Sequence, residues 1–354
     1  MKILMVITGM RSGGAERVMA TLCNVLSKSN EVRLFILKDS STDYKLEERV
    51  EVVAGNVQNQ SVFQSIKALK KQFIEWNPDV ILSFMTKTNI VVLLTKIMQK
   101  SNKPVVIAER ANPYNAKLPY KILRRFLYSK ANGCVFQTKQ AQAYYENILK
   151  CESVVIRNPL NSEFSVEQVN GIVEKRVVSV GRLSVEKNHK LLIDAFSRIA
   201  RVHKEYTLEI YGDGPLREKL EKQIKELHLE NRVFLMGRKE NIQKHICDAE
   251  MFVLPSNSEG MPNALLEAMA LGLACIATDC PIGGSAVIID NKKNGLLIPV
   301  NDEDALVEAM ERIMNDSVYR NLLRSEARKV VELFEEGKIC EEWDEYLKKV
   351  YDTV

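Results

Sequence analysis

Apolar positions along this chain change their spacing in a regular alternation. Runs at 3–7, 32–37, 80–84, 105–108, 134–136 and 154–156 are apolar at almost every position, as strands covered on both faces are. Between the early runs the period lengthens to that of a helix. Ala15, Val18, Met19, Leu22, Val25 and Leu26 share one helical face, and 62–76 and 89–98 repeat the pattern. Strands alternating with helices predict a parallel, doubly wound α/β sheet. At 158–171 the pattern lapses into Asn, Pro, Ser and Gly, a linker. The alternation then restarts, with strands at 177–180, 208–211, 233–236, 252–254 and 275–278 and helices at 190–200, 216–227 and 263–271. The expected architecture is two Rossmann-like domains, 1–160 and 161–337, facing across a cleft with ligands at the carboxyl ends of the strands. The segment 338–354 carries Ile339, Trp343, Tyr346, Leu347 and Val350 at helical spacing and is expected to pack back on the first domain.

Composition narrows the class. The chain has 354 residues, 46% apolar and 27% charged, which excludes disorder and low-complexity stalks and allows two cores. No apolar run approaches the length of a spanning helix, and the N-terminus reads as a strand rather than a signal peptide. The seven cysteines are scattered without a CxxC pair, favouring reduced thiols in a cytosolic protein over disulfides or a metal site. The net charge of +4 hides an asymmetry: residues 1–160 hold 24 Lys and Arg against 12 Asp and Glu, and the remainder 26 against 34. A basic first half suits an anionic partner, and on charge alone both nucleic acid and membrane qualify. No recognised nucleic-acid module or aromatic platform is present, so nucleic acid is set aside.

Four segments carry candidate chemistry, each following a strand. In Ser258-Glu259-Gly260-Met261-Pro262-Asn263, Pro262 suits the first turn of a helix and Gly272 its C-terminal end. The N–H groups of Gly260, Met261 and Asn263 are then ready for a phosphate, and Glu259 and Glu267, eight apart, suit sugar hydroxyls. In Gly181-Arg182-Leu183-Ser184-Val185-Glu186-Lys187-Asn188, Arg182 and Lys187 are placed to neutralise a diphosphate leaving group. The turn Tyr211-Gly212-Asp213-Gly214-Pro215 has glycines that could admit a base or ribose, a plain turn being the alternative. The segment from Thr8 through Gly13 and Gly14 to Arg17 fits neither nucleotide-binding motif but permits close approach of backbone to a ligand.

In this order, the segments resemble those of the family 4 glycosyltransferases, which have the two-domain GT-B fold. The resemblance covers essentially the whole chain and is strongest from GRLSVEKN through YGDGP to SEGMPNALLEAMALG, where Glu259 and Glu267 match the paired-glutamate motif. SGGAER matches the acceptor-domain loop of many members. ILSFMTKTN and IAERANP look closest to bacterial enzymes that extend undecaprenyl-diphosphate-linked oligosaccharides, hexosaminyl and N-acetylgalactosaminyl transferases among them. The resemblance implies retaining transfer from a UDP-sugar, UDP-GalNAc first among the donors, to a lipid-linked oligosaccharide, with no cofactor and no bound metal. It implies that Arg182 and Lys187 hold the diphosphate, that Glu267 binds the ribose and Glu259 the donor sugar, and that Gly237 and Arg238 meet the base. Gly13 and Gly14 then line the donor phosphate and acceptor side.

One departure concerns histidine. Many members carry a His after the fourth strand of the first domain, whereas all four His here lie in the second half. The corresponding segment is Ala108-Glu109-Arg110-Ala111-Asn112, so Glu109, Arg110 and Asn112 are acceptor-side candidates; Glu109 and Arg110 either position substrate or pair at the strand end. Asp302-Glu303-Asp304 resembles a DxD metal motif but reads as a helix N-cap with acids in the first turn. Two rival functions are a UDP-sugar epimerase of the same fold and a non-catalytic glycolipid-binding subunit. Finally, between Glu109 and Glu146 there is no acid at all. Lys121, Arg124 and Arg125 share one arc there, opposite Leu118, Ile122, Leu123, Phe126 and Leu127. This is the pattern of a helix lying on the anionic cytoplasmic face of a membrane; the alternative is a surface helix whose apolar side packs on the first domain.

Overall fold

The structure, a computed structural model, describes residues 1–11, 13–58, 61–165 and 173–354. Ser12, and the 166–171 part of the expected linker, lie outside the described residues. The chain divides into two compact units, Met1–Pro159 with Glu336–Val354, and Leu160–Glu335.

The first unit runs β1 (Lys2–Ile7), α1 (Gly14–Leu26), β2 (Glu31–Ile36), β3 (Glu51–Ala54), α2 (Val62–Lys71), β4 (Val80–Phe84), α3 (Thr86–Met98), β5 (Val105–Ala108), α4 (Leu118–Leu127), β6 (Gly133–Phe136), α5 (Lys139–Tyr145) and β7 (Ser153–Val155). The strands form one parallel sheet in the order β3-β2-β1-β4-β5-β6-β7. Ile3 lies between Val32 and Val80, so the strand order reverses between β1 and β4, and ligands of open α/β sheets sit outside the carboxyl ends at such a point. Ile3 to Ile7 are wholly buried, which is why β1 shows no polar alternation. The expected helix at 62–76 is regular only to Lys71. Its last turn, Gln72–Trp76, widens to a π-turn that seats Phe73 and Trp76 in the core, and Asn77 in the left-handed region (φ 54°) ends it.

The second unit runs β8 (Glu174–Val180), α6 (His189–Val202), β9 (Thr207–Tyr211), α7 (Arg217–Glu226), β10 (Val233–Gly237), α8 (Gln243–Ile246), β11 (Ala249–Leu254), α9 (Asn263–Ala270), β12 (Ala274–Thr278), β13 (Leu296–Ile298), α10 (Glu303–Asn315), α11 (Ser317–Ala327) and α12 (Val330–Leu333). Its sheet is parallel, in the order β10-β9-β8-β11-β12-β13. Asp302 caps α10 by accepting from the Ala305 N–H at 2.9 Å. Gly272, at φ +76°, ends α9 as the sequence predicts. The two strands the pattern misses, β3 and β13, are edge strands of four and three residues.

The last helix, α13 (Glu336–Asp352), belongs to the first unit. Trp343 is buried there with its ring 5.7 Å from that of Phe84. The Tyr346 hydroxyl accepts from the Cys134 N–H at 3.0 Å and donates to the Glu152 carbonyl at 2.8 Å. Gly133 leaves room for it, since a Cβ there would stand 2.7 Å from that hydroxyl.

Candidate active site

In the second unit the candidate residues meet where β8, β9, β10 and β11 end. Backbone hydrogen bonds bind the loops together: Gly181 N–H to the Tyr211 carbonyl at 2.9 Å, Leu183 N–H to Asp213 at 3.1 Å, and Gly212 N–H to Gly237 at 2.8 Å. Gly212 has φ +139°, and a Cβ there would lie 2.0 Å from the Gly181 carbonyl oxygen; a Cβ on Gly214 would lie 2.4 Å from that of Leu183. These two glycines therefore admit the neighbouring loop's backbone. Gly237 is different: its φ is +70° and a Cβ would meet nothing within 4 Å, so the space beside it is open. Arg238 follows it, exposed.

A second set of bonds ties the β8 loop to the β11 loop. Asn257 donates its backbone N–H to the Glu186 carbonyl at 2.8 Å and its side-chain amide to that of Val185 at 3.0 Å, while Asn188, in the left-handed region, donates to the Asn257 side chain at 3.0 Å. The result brings Lys187 Nζ to 2.5 Å from Glu259 Oε1, which also accepts from the Ser256 hydroxyl at 2.6 Å. Both side chains are largely covered, with 24% of Lys187 and 10% of Glu259 exposed. Burial, with the Lys187 charge adding to it, pushes His189 down to about 3, so its imidazole is neutral at pH 7. Arg182 is exposed on the same loop.

Glu267 is buried in α9. Asn263 opens the helix where the pattern places it, and Pro262 stands as the N-cap just before the first turn. Met261 is buried, and Gly260 is packed against a residue the motifs did not single out: a Cβ on Gly284 would lie 1.7 Å from the Gly260 carbonyl oxygen. The Gly283-Gly284 pair after β12 was the signal available, since paired glycines past a strand end admit close backbone approach. Ser256 and Asn257 carried no such signal.

In the first unit Gly13 is pinned on both sides by Tyr44, whose hydroxyl accepts from the Gly13 N–H and donates to its carbonyl, each at 2.8 Å; Gly14 then opens α1. After β5, Glu109 and Arg110 turn apart and form no ion pair with each other. The Glu109 carboxylate is enclosed, accepting from Thr86 Oγ1 at 3.0 Å, from Asn89 Nδ2 at 3.3 Å and from the Tyr128 hydroxyl. Burial raises its pKa against those hydrogen bonds. This corrects the acceptor-side expectation for Glu109: its oxygens fasten the end of β5 to α3 and to Tyr128 at the end of α4. Asn112 likewise uses its side-chain oxygen to cap the turn at Tyr114, at 3.0 Å. Arg110 is also buried, with Nη2 2.5 Å from Asn158 Oδ1 and the guanidinium 4.6 Å from the Phe84 ring centre. Its Nε and Nη1 have no acceptor, and burial lowers its pKa to about 9, leaving it cationic at pH 7.

The α4 reading needs one correction. Arg124 faces inward at 1% exposure, with Nη2 on the Pro113 carbonyl at 3.0 Å and Nη1 on the Tyr145 hydroxyl. It is no membrane contact. Arg125 is exposed and Lys121 partly so. The apolar side is divided: Leu127 packs on the unit at 8% exposure, whereas Leu118, Ile122 and Phe126 are 68%, 50% and 69% exposed.

Asp302, Glu303 and Asp304 are otherwise engaged, Asp302 as the cap and the other two on Arg198, at 3.4 and 2.6 Å. Among the described residues no three His, Cys, Asp or Glu side chains converge as metal ligands, and no helix is long and apolar enough to cross a membrane.

Comparison with known proteins places both units. The family model described as Glycosyltransferase Family 4 matches residues 12–164, and that described as Glycosyl transferases group 1 matches 164–330. A Campylobacter jejuni alpha-1,4-N-acetyl-D-galactosaminyltransferase, whose name specifies a diNAcBac-PP-undecaprenol-linked acceptor, is 31% identical over 99% of both chains. A second N-acetylgalactosaminyltransferase of that organism, named for a diacetylbacillosaminyl-diphospho-undecaprenol acceptor, is 29% identical over 98% of this chain and 99% of its own. Among solved structures, Anabaena HepE in complex with UDP superposes with a TM-score of 0.84 at 20% identity, over 99% of this chain and all of that one.

Proposed function

The chain belongs to the family 4 glycosyltransferases, and from that premise we propose that it moves an N-acetylhexosamine-type sugar, GalNAc first among the candidates, from a UDP-sugar to a lipid-linked oligosaccharide, with retention and without a metal ion, in the making of a cell-surface glycan. The observation that carries this reading is the Lys187–Glu259 pair at the ends of β8 and β11. An ammonium has three N–H groups. One is committed to Glu259 and the others remain for a diphosphate, with Arg182 exposed on the same loop. Glu259 uses Oε1 for Lys187 and Ser256, leaving Oε2 for a sugar hydroxyl. Glu267 is the ribose residue, and the open space at Gly237 suits the base. The full-length likeness to two N-acetylgalactosaminyltransferases supports the donor and acceptor classes.

In this reading the C1–oxygen bond to the diphosphate breaks while the acceptor hydroxyl oxygen bonds C1 from the same face. The hydroxyl proton passes to a phosphate oxygen of the departing UDP. Lys187 and Arg182 stabilise the developing negative charge, the task a metal performs elsewhere. The direct test offers a panel of UDP-sugars with an undecaprenyl-diphosphate-linked acceptor extract, read by mass spectrometry. Acceptor extended by one N-acetylhexosamine, undiminished in excess EDTA, is expected. Donor isomerisation without transfer, or loss in EDTA restored by manganese or magnesium, overturns the reading.

The membrane part of the proposal rests on α4, whose exposed Leu118, Ile122 and Phe126 lie beside Lys121 and Arg125. Such a face binds an anionic leaflet reversibly, each basic residue adding about 1 kcal/mol. Sedimentation with anionic liposomes at low salt is expected, reversed by salt and weakened by Lys121→Glu with Arg125→Glu and by Phe126→Glu, Arg124 being left intact. Wild-type protein that stays in the supernatant at low salt rules this attachment out.

A further inference from the structure

Glu259 and Gly260 are gripped from a second side, by the turn that follows β12. At the strand end Thr278 donates its hydroxyl to the Ser256 carbonyl, and Ser256 in turn donates to Glu259 Oε1. Burial, with the charge of neighbouring Glu259 adding to it, pushes the Cys280 thiol up to about 11. The Gly283 N–H then closes back on the Cys280 carbonyl at 3.1 Å, with Pro281 second and Ile282 third in the turn. Ile282 has φ +71°. A turn of this kind ordinarily carries glycine at its third position, and a β-branched residue in the left-handed region is strained. Gly283 follows at φ +68°. Gly284 then lies on the β11 loop, where a Cβ would stand 1.7 Å from the Gly260 carbonyl oxygen and 3.4 Å from Met261 Cα.

We infer that Ile282 is a positioning residue for the donor sugar: anchored in the strained turn, it holds Gly284 against Gly260 and so fixes the direction in which Glu259 and Gly260 meet the sugar, a role that rests on the reading of that loop as the donor-sugar site. Strain of this sort persists only where the surroundings over-determine the conformation. Here burial does so, since Ile282 is 3% exposed and Gly283 and Gly284 are buried with it. Glycine at 282 would relieve the backbone, yet it would set three glycines in succession with no side chain to anchor them. The two sides of the loop are held differently. Lys187 and Asn257 fasten it to the β8 loop through side chains, whereas the β12 turn backs it through main-chain contact that leaves no room for a Cβ. Such backing matters because a displacement of about 1 Å at a reacting centre can cost about 100-fold in rate.

The test follows amide hydrogen exchange at Glu259, Gly260 and Met261 in the full-length protein, alongside transfer kinetics with UDP-GalNAc. Ile282→Gly is expected to speed exchange at these amides at least tenfold, with the β8 amides unchanged, and to lower kcat/KM at least tenfold. Ile282→Val, which keeps a buried apolar anchor, stays within threefold in both. Gly284→Ala, with Ile282 intact, drives a Cβ into Gly260 and lowers kcat/KM on the order of 100-fold. In a Glu259→Gln background Ile282→Gly costs less than a further threefold, because it acts through that residue; a role in folding alone costs the same in both backgrounds and overturns the inference. Unchanged exchange in Ile282→Gly overturns it too, as does Gly284→Ala within threefold of wild type. Faster exchange with kcat/KM kept sinks the positioning role and leaves the donor-sugar reading in place. Faster exchange in a protein that transfers sugar from no UDP-sugar of the panel sinks the donor reading itself, and positioning with it.

Discussion

Lys187→Ala is expected to lower kcat for sugar transfer by about 100-fold, the order seen when one preorganised donor to a developing anion is removed. Two effects combine. The substitution deletes the charge offered to the leaving diphosphate, and it leaves Glu259, with 10% of its side chain exposed, held by Ser256 without its cation. A buried carboxylate that loses its partner is destabilised, so Glu259 shifts away from the donor sugar. The double variant Lys187→Ala with Glu259→Gln should accordingly lose less than the product of the single losses, because the two side chains form one unit. Glu267→Ala is expected to raise the donor KM at least tenfold, a lost charged hydrogen bond being worth about 1.5–3 kcal/mol. Steady-state kinetics with matched thermal midpoints decides the matter. Lys187→Ala within threefold of wild type in kcat overturns the site assignment.

Arg124→Glu is expected to destabilise the first unit by about 3–5 kcal/mol, the cost of breaking a buried charged network. The guanidinium lies 5.3 Å from the Tyr145 ring centre and hydrogen-bonds the Pro113 carbonyl and the Tyr145 hydroxyl. Its charge also acts on the buried Glu109, counteracting the rise in pKa that burial causes. A glutamate at 124 strands both hydrogen-bond partners and adds a second acid to that enclosure. Arg125→Glu, one residue on and exposed, is the control, with a change within about 0.5 kcal/mol as is usual at surface positions. Urea unfolding followed by hydrogen exchange of β5 and β6 amides reads the first unit separately from the second. Equal midpoints for the two variants contradict the buried network.

Arg124 also marks where sequence reading stopped. A helical wheel places Lys121, Arg124 and Arg125 on one arc, because it knows angle but not what stands opposite. Tyr145 comes from α5, twenty-one residues away, and an aromatic hydroxyl with a carbonyl is enough to draw a guanidinium inward. The same limit applies at Glu109 and Arg110. Adjacent charges at a strand end look like a pair, yet successive side chains of an extended segment point to opposite faces, where Thr86, Asn89 and Tyr128 take the one and Asn158 and Phe84 the other.

What the chain determines locally was legible in it. The alternation of apolar runs and helical faces specifies two parallel sheets, because strands covered on both sides cannot hide their composition, and Asp302 and Gly272 announce helix ends through their own bonding and conformational freedom. Lys187, Glu259 and Glu267 could be singled out as candidates because each follows a strand end in a recurring motif. Tertiary structure alone decided which groups meet. Lys187 and Glu259 lie 72 residues apart and become partners only when β8 and β11 pair and Asn188 and Asn257 join their loops. Gly212 and Gly284 serve packing between loops because a Cβ would strike a carbonyl belonging to a distant segment. Spacing along a chain sets which face a residue occupies; contact depends on the element placed against that face, and the sheet order, not the sequence interval, selects it.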